Sequence, residues 1–207
     1  MSTQTLTILF TDLADYTASV RNSDRNELRA LIEGHESKVR DCLEHLGGRS
    51  IKNIGDSFMV VFNSATDALN AGMQLMEMLA GDDQFTIRIG IATGDVEEIQ
   101  GDYFGDSVNL ASRIVGRASA NQIWFSQSTY LSMNASEIPH EVVGYVELKG
   151  FVGRNYLYRA IAPNQTVLPD EILLASKDRA LLLLHPKDPP HMLQSKKTVV
   201  LVGFSDD

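Results

Sequence analysis

From Thr5 to Phe10, threonines alternate with bulky apolar side chains, and this period of two predicts a β-strand running straight into Thr11 and Asp12. Ser23 and Asp24 are suited to cap a helix, with Glu27 placed to reach back to the cap. Leu28, Leu31, Ile32, Val39, Cys42, Leu43 and Leu46 then recur at helical spacing until Gly47 and Gly48 end the run. Two short strands, Arg49–Ile54 and Ser57–Phe62, flank a tight Gly55-Asp56 turn, which is the signature of a β-hairpin. Asn63 or Ser64 caps a second helix that reaches about Ala80.

Alternation returns over Phe85–Thr93, with Ile87, Ile89 and Ile91 on one face. Gly94–Gly101 reads as a connection, with room for a short strand through Val96. A helix is expected from about Asp106 to Ala118, then a buried strand over Gln122–Phe125, then strands over Val142–Leu148 and Tyr156–Ala160. This order predicts an α+β fold, a mostly antiparallel sheet with helices on one face. Pro163 to Pro169 reads as a linker, so residues 1–162 form the principal domain and 163–207 a C-terminal extension. In that extension Leu181–Leu184 and Val199–Val202 are separated by Pro186, Pro189 and Pro190, a pattern resembling the start of a further β domain cut short.

Composition narrows the function. The formal charge of −9 argues against a nucleic-acid binder, which needs a basic face to neutralise phosphates. An acidic chain still binds a triphosphate when metal ions sit between its carboxylates and the ligand. The single cysteine, Cys42, rules out a disulfide framework within the chain and is expected to fill core space on the first helix. Neither a signal peptide nor an apolar run of membrane-spanning length is evident, so the expected location is the cytoplasm.

Asp12 ends an apolar strand and Asp56 sits in a hairpin turn. Strand ends and hairpin tips of one sheet lie side by side in many folds. Two carboxylates converging there would repel unless a cation lay between them, and paired hard oxygens suit Mg²⁺ or Mn²⁺. Asn109 and Arg113 are four residues apart and share one helix face, while Val108, Ala111 and Ile114 point to the core. An amide and a guanidinium on one face suit a phosphate whose charge grows during reaction; a solvated polar face is the plainer alternative.

Three separated segments then carry a resemblance: Phe10-Thr-Asp12; Lys52-Asn-Ile-Gly-Asp56; and Phe104-Gly-Asp-Ser-Val-Asn109-Leu-Ala-Ser-Arg113. Their order and spacing resemble the class III adenylyl and guanylyl cyclases over roughly residues 5–160. The resemblance implies a ferredoxin-like nucleotidyl cyclase fold acting as a head-to-tail homodimer. It implies Asp12 and Asp56 as ligands of two divalent cations, Mg²⁺ or Mn²⁺, and Lys52 and Asp102 as the base-selecting pair. Asn109 then orients the ribose, Arg113 stabilises the transition state, and Lys149 binds the triphosphate. The two aspartates are drawn from one protomer and Lys52, Asp102, Asn109 and Arg113 from the other. Where the family usually carries glycine, this chain has Asp15, a carboxylate that either caps the following helix or repels phosphate.

Hydrogen-bond polarity favours ATP as the substrate. Adenine offers an acceptor at N1 and a donor at its amino group; Lys52 only donates and ionised Asp102 only accepts. Guanine reverses that edge. A guanylyl or pyrimidine nucleotide cyclase, and a non-catalytic regulatory or dimerisation module of the same fold, are the competing readings.

Overall fold

The computed structural model describes residues 3–14, 25–54, 57–80 and 86–162. Its strands are β1 (Thr3–Ala14), β2 (Arg49–Ile54), β3 (Ser57–Phe62), β4 (Thr86–Ile99), β5 (Asp102–Phe104), β6 (Ile123–Ser126), β7 (His140–Glu147) and β8 (Arg154–Ala160). Its helices are α1 (Arg25–His45), α2 (Ala65–Leu79), α3 (Asp106–Val115) and α4 (Gln127–Ser132). The strands form one sheet in the order β2-β3-β1-β4-β6-β8-β7, with β5 paired to β4. Among the described residues every pairing is antiparallel except β4 with β6. The α+β, ferredoxin-like reading therefore holds. The expected extension over 163–207, the Ser23-Asp24 cap, Asp15 and Asp56 lie outside the described residues.

Local sequence explains most boundaries. The hairpin strands β2 and β3 fall where the apolar pattern puts them. Ser64 caps α2, its side chain accepting from the Asp67 N–H at 3.2 Å. Gly47, at φ 88°, turns the chain out of α1 in the left-handed conformation that glycine adopts without a steric penalty.

Three features depart from the expected pattern. β4 runs on to Ile99 rather than stopping near Thr93, because it pairs with β1 over its whole length and then with β5. β5 and α4 are too short, and α4 too polar, to generate a periodic signal. The helices are also not confined to one face. α1 and α2 pack beneath a core that includes Leu9, Val60, Ile89 and Phe125, whereas α3 lies on the opposite side against Ile8, Phe10, Met59 and Ala92. The cause is that β1 and β3 are apolar on both faces: Leu9 and Phe10, like Val60 and Val61, are adjacent in sequence and all buried.

α3 approaches the sheet closely over Gly90. A methyl group built there would lie 2.3 Å from the Val115 nitrogen and 2.7 Å from the Ala111 carbonyl oxygen. On the α1–α2 side, a buried hydroxyl chain ties four elements together, β1, β4, β6 and α4. Thr7 Oγ1 and Thr93 Oγ1 are 2.9 Å apart, Thr93 donates to Thr129 at 3.1 Å, and Thr129 meets Ser126 at 3.0 Å. At the far edge Tyr130 stacks on Tyr158 with centroids 4.3 Å apart, and Phe125, His140 and Tyr156 complete the aromatic cluster.

Two measurements check this packing. Gly90→Ala should destabilise the fold by about 2 kcal/mol or more, because the clash is with backbone rather than a movable side chain, lowering Tm by about 4–8 °C in thermal denaturation. Burial, followed by the neighbouring Tyr156, Tyr130 and Tyr145, pushes the Tyr158 hydroxyl up from its ordinary value of 10.0 to about 12. The folded state thus disfavours the tyrosinate: this stabilisation is complete below pH 10 and is lost as pH rises through 12. Denaturant melts in that window should steepen their decline with pH for the wild type and flatten for Tyr158→Phe.

Candidate active site

Asp12 follows Phe10 on β1 and therefore faces the α3 side of the sheet, at the point where the buried run ends. Its direct partner across the antiparallel pair is Arg88 on β4. Arg88 Nε and Nη2 donate to Asp12 Oδ2 at 2.8 and 2.5 Å, and Ser57 Oγ donates to Oδ1 at 2.8 Å. The Asp12 and Arg88 side chains are 16% and 30% exposed, so the ion pair is only partly wetted. Neither Arg88 nor Ser57 was singled out in the sequence, where Arg88 looks like the polar half of an Ile-Arg-Ile alternation. Only the β1–β4 register reveals that it lies opposite a carboxylate.

Lys52 and Asp102, 50 residues apart, meet directly: Nζ and Oδ2 are 2.5 Å apart. The contact exists because Lys52 faces the α3 side beside Met59, and β5 folds over that side with Tyr103 in the second core. Asp102 Oδ1 also accepts from the Tyr103 N–H at 2.9 Å, while the Lys52 ammonium stands 6.0 Å from the Phe104 ring centroid. Being 40% and 30% exposed, the two side chains contribute at most about 1 kcal/mol to stability. Their value lies in presenting one donor and one acceptor side by side.

α3 carries the remaining pair. Ala111 and Ile114 are fully buried and Val108 packs against the same core, which leaves Asn109 and Arg113 exposed along the outer face. Arg113 sits in the last turn, where the helix dipole favours a cation. Lys149 is exposed just after buried Leu148, in the β7–β8 connection. It lines an open cavity of about 500 Å³ with Glu147, Phe151 and Arg154. Cys42 is half-buried against the first core, where burial pushes its thiol pKa up and makes it a poor nucleophile.

Five predicted residues, Asp12, Lys52, Asp102, Asn109 and Arg113, thus belong to elements on one side of the sheet, but only Lys52 and Asp102 touch. The donor chemistry at Asp12 fits a hard divalent cation, since a partly buried carboxylate supplies the oxygen ligands that Mg²⁺ and Mn²⁺ prefer. Among the described residues, no group of three or more His, Cys, Asp or Glu side chains gathers around it. Also among the described residues, no helix is long and apolar enough to cross a membrane.

Comparison with known proteins places this geometry in context. Residues 1–160 match the family model of the adenylate and guanylate cyclase catalytic domain. The chain is 34% identical over 119 residues to an adenylate cyclase of Streptomyces coelicolor, covering 57% of this chain and 31% of that protein. It spans about a third of the length of that relative. Among solved structures, the adenylyl cyclase CyaB from P. aeruginosa superposes with a TM-score of 0.72 at 24% identity, over 81% of this chain and 100% of that one. The guanylate cyclase domain of RhGC from Catenaria anguillulae, solved in complex with GTP, gives 0.72 at 23% identity, over 78% of this chain and 99% of that one. These likenesses establish the fold, and the family match extends over most of the sequence. The chain belongs to the adenylate and guanylate cyclase catalytic-domain family.

Proposed function

We propose that the protein is an adenylate cyclase, converting ATP to 3′,5′-cyclic AMP and pyrophosphate at sites shared across a head-to-tail homodimer. The observation that carries the choice of base is the direct Lys52–Asp102 contact at 2.5 Å. It sets an obligate donor beside an obligate acceptor, the complement of adenine's N1 and amino group. Guanine would leave both groups facing like partners, a mismatch worth on the order of 10²-fold in kcat/KM.

In the reaction the ribose 3′-oxygen bonds to the α-phosphorus as the bond to pyrophosphate breaks. Asp12 and Asp56 would hold two divalent cations, Mg²⁺ or Mn²⁺. Such ions, when bound, acidify the 3′-hydroxyl and neutralise the leaving oxygens. Asn109 hydrogen-bonds the ribose and sets its angle of attack. Arg113, one turn further along α3, places its guanidinium on the α-phosphoryl oxygens, where negative charge accumulates in the transition state. Lys149 takes the triphosphate by charge. Asp12 and Asp56 come from one protomer and the α3 and base-pocket residues from its partner, so that a symmetric dimer holds two equivalent sites.

An assay of the four nucleoside triphosphates with Mn²⁺ should give ATP the highest kcat/KM, and Asp102→Asn should erode its lead over GTP. A wild-type preference for GTP refutes the base assignment. Arg113→Ala should cut kcat by on the order of 10³ while leaving KM within a few-fold. Mixing inactive Asp56→Ala and Arg113→Ala proteins should restore activity, since one of the two sites in each mixed dimer is then intact. Failure to recover activity after demonstrated subunit exchange defeats the shared-site arrangement.

A further inference from the structure

We infer that Arg88 is the built-in counter-ion of Asp12, so that a divalent cation reaches this carboxylate in the nucleotide-free protein only by displacing the guanidinium. The inference rests on the reading of Asp12 as a cation ligand and deepens it, because that reading gives Arg88 no role.

Three observations carry it. The pairing is imposed by the sheet, since Asp12 and Arg88 are register partners on β1 and β4 rather than residues of loops that meet by chance. The carboxylate is nearly saturated: Oδ2 accepts from both Nε and Nη2 of Arg88, and Oδ1 accepts from Ser57. An ionised carboxylate offers about four lone-pair sites, so three donors leave roughly one free. Finally, the pair is partly withdrawn from water, at 16% and 30% exposure, which weakens solvent screening between a guanidinium and any cation sharing the same oxygen. A dication bound there would meet like charge on its own ligand. Release of Arg88 is therefore part of the binding equilibrium, and the affinity of the empty protein is lowered by the strength of the ion pair.

The test measures Mn²⁺ binding to the full chain without nucleotide, from the electron paramagnetic resonance signal of free Mn²⁺, with circular dichroism and thermal melting to verify folding. Arg88→Met should bind Mn²⁺ on the order of tenfold tighter than wild type, the scale of one lost charge-assisted hydrogen-bonded pair. Arg88→Lys, which keeps the charge but cannot fork onto Oδ2, should fall between the two. A purely structural role for Arg88 would lower Tm without tightening Mn²⁺ binding. A folded Arg88→Met with unchanged or weaker affinity therefore overturns the inference. If Arg88→Met does not fold, an Arg88→Lys protein no tighter than wild type overturns it as well. Asp12→Asn separates the two levels of the argument. If it leaves Mn²⁺ binding intact, the ion is not on Asp12, and the ligand assignment falls together with the counter-ion. If it abolishes binding while Arg88→Met fails to tighten it, only the counter-ion role is lost.

Discussion

The central strands cannot be left bare on either side. Six consecutive residues of β1, Leu6 to Thr11, and five of β3, Phe58 to Phe62, are buried, so side chains pointing both ways from the sheet need cover. α1 and α2 supply it on one side; α3 and β5 supply it on the other. At roughly 25 cal/mol per Å² of apolar surface, uncovering either side would cost more than a marginally stable domain can lose. This two-sided requirement bears on the candidate site. Several polar groups on the α3 side lie where the apolar cover ends, at Asp12, at Lys52 and Asp102, and along the outer face of α3, while Arg159 is buried there against Glu141. The candidate site residues lie at the rim of the second core.

Charge is distributed accordingly. The chain is acidic overall, at −9, yet Lys52, Arg88 and Arg113 bring cations to this side, and Lys149 stands in the β7–β8 connection. Two of them are paired with carboxylates at 2.5 Å, while Arg113 and Lys149 stand exposed. The Lys52–Asp102 pair, 40% and 30% exposed, contributes little to folding. Each pair holds a donor beside an acceptor in a fixed direction.

How much of this could be read from the chain follows from the range of each interaction. The β2–β3 hairpin and the capped α2 are local: Gly55-Asp56 and Ser64 announce them within a few residues, and their strand and helix limits fall where expected. The spacing of Asn109 and Arg113 on α3, with Ala111 and Ile114 inward, is equally local. Lys52 and Asp102 were identified through resemblance, and their contact across 50 residues is a product of β5 folding over the sheet. Arg88 was invisible for the opposite reason. It lies in an unremarkable alternation, and its significance is a matter of register alone. The placement of α3 on the second face was also hidden, because adjacent buried residues such as Leu9 and Phe10 blur the period of two that would have distinguished one wet face from two dry ones.

The order in which these parts come together has a kinetic consequence. β1 precedes its long partner β4 in the chain, and the Thr7–Thr93 contact closes a gap of 86 residues. A contact of such high order carries a large loop-closure entropy and slows the search for the native state. The hairpin β2–β3 and the helices α1 and α2 are encoded between them and depend on nearer neighbours. The Asp12–Arg88 contact, spanning 76 residues, carries a similar loop-closure cost. Until β4 has emerged, the edge of β1 that β4 will cover stays unpaired, and an apolar strand with an open edge is prone to aggregation.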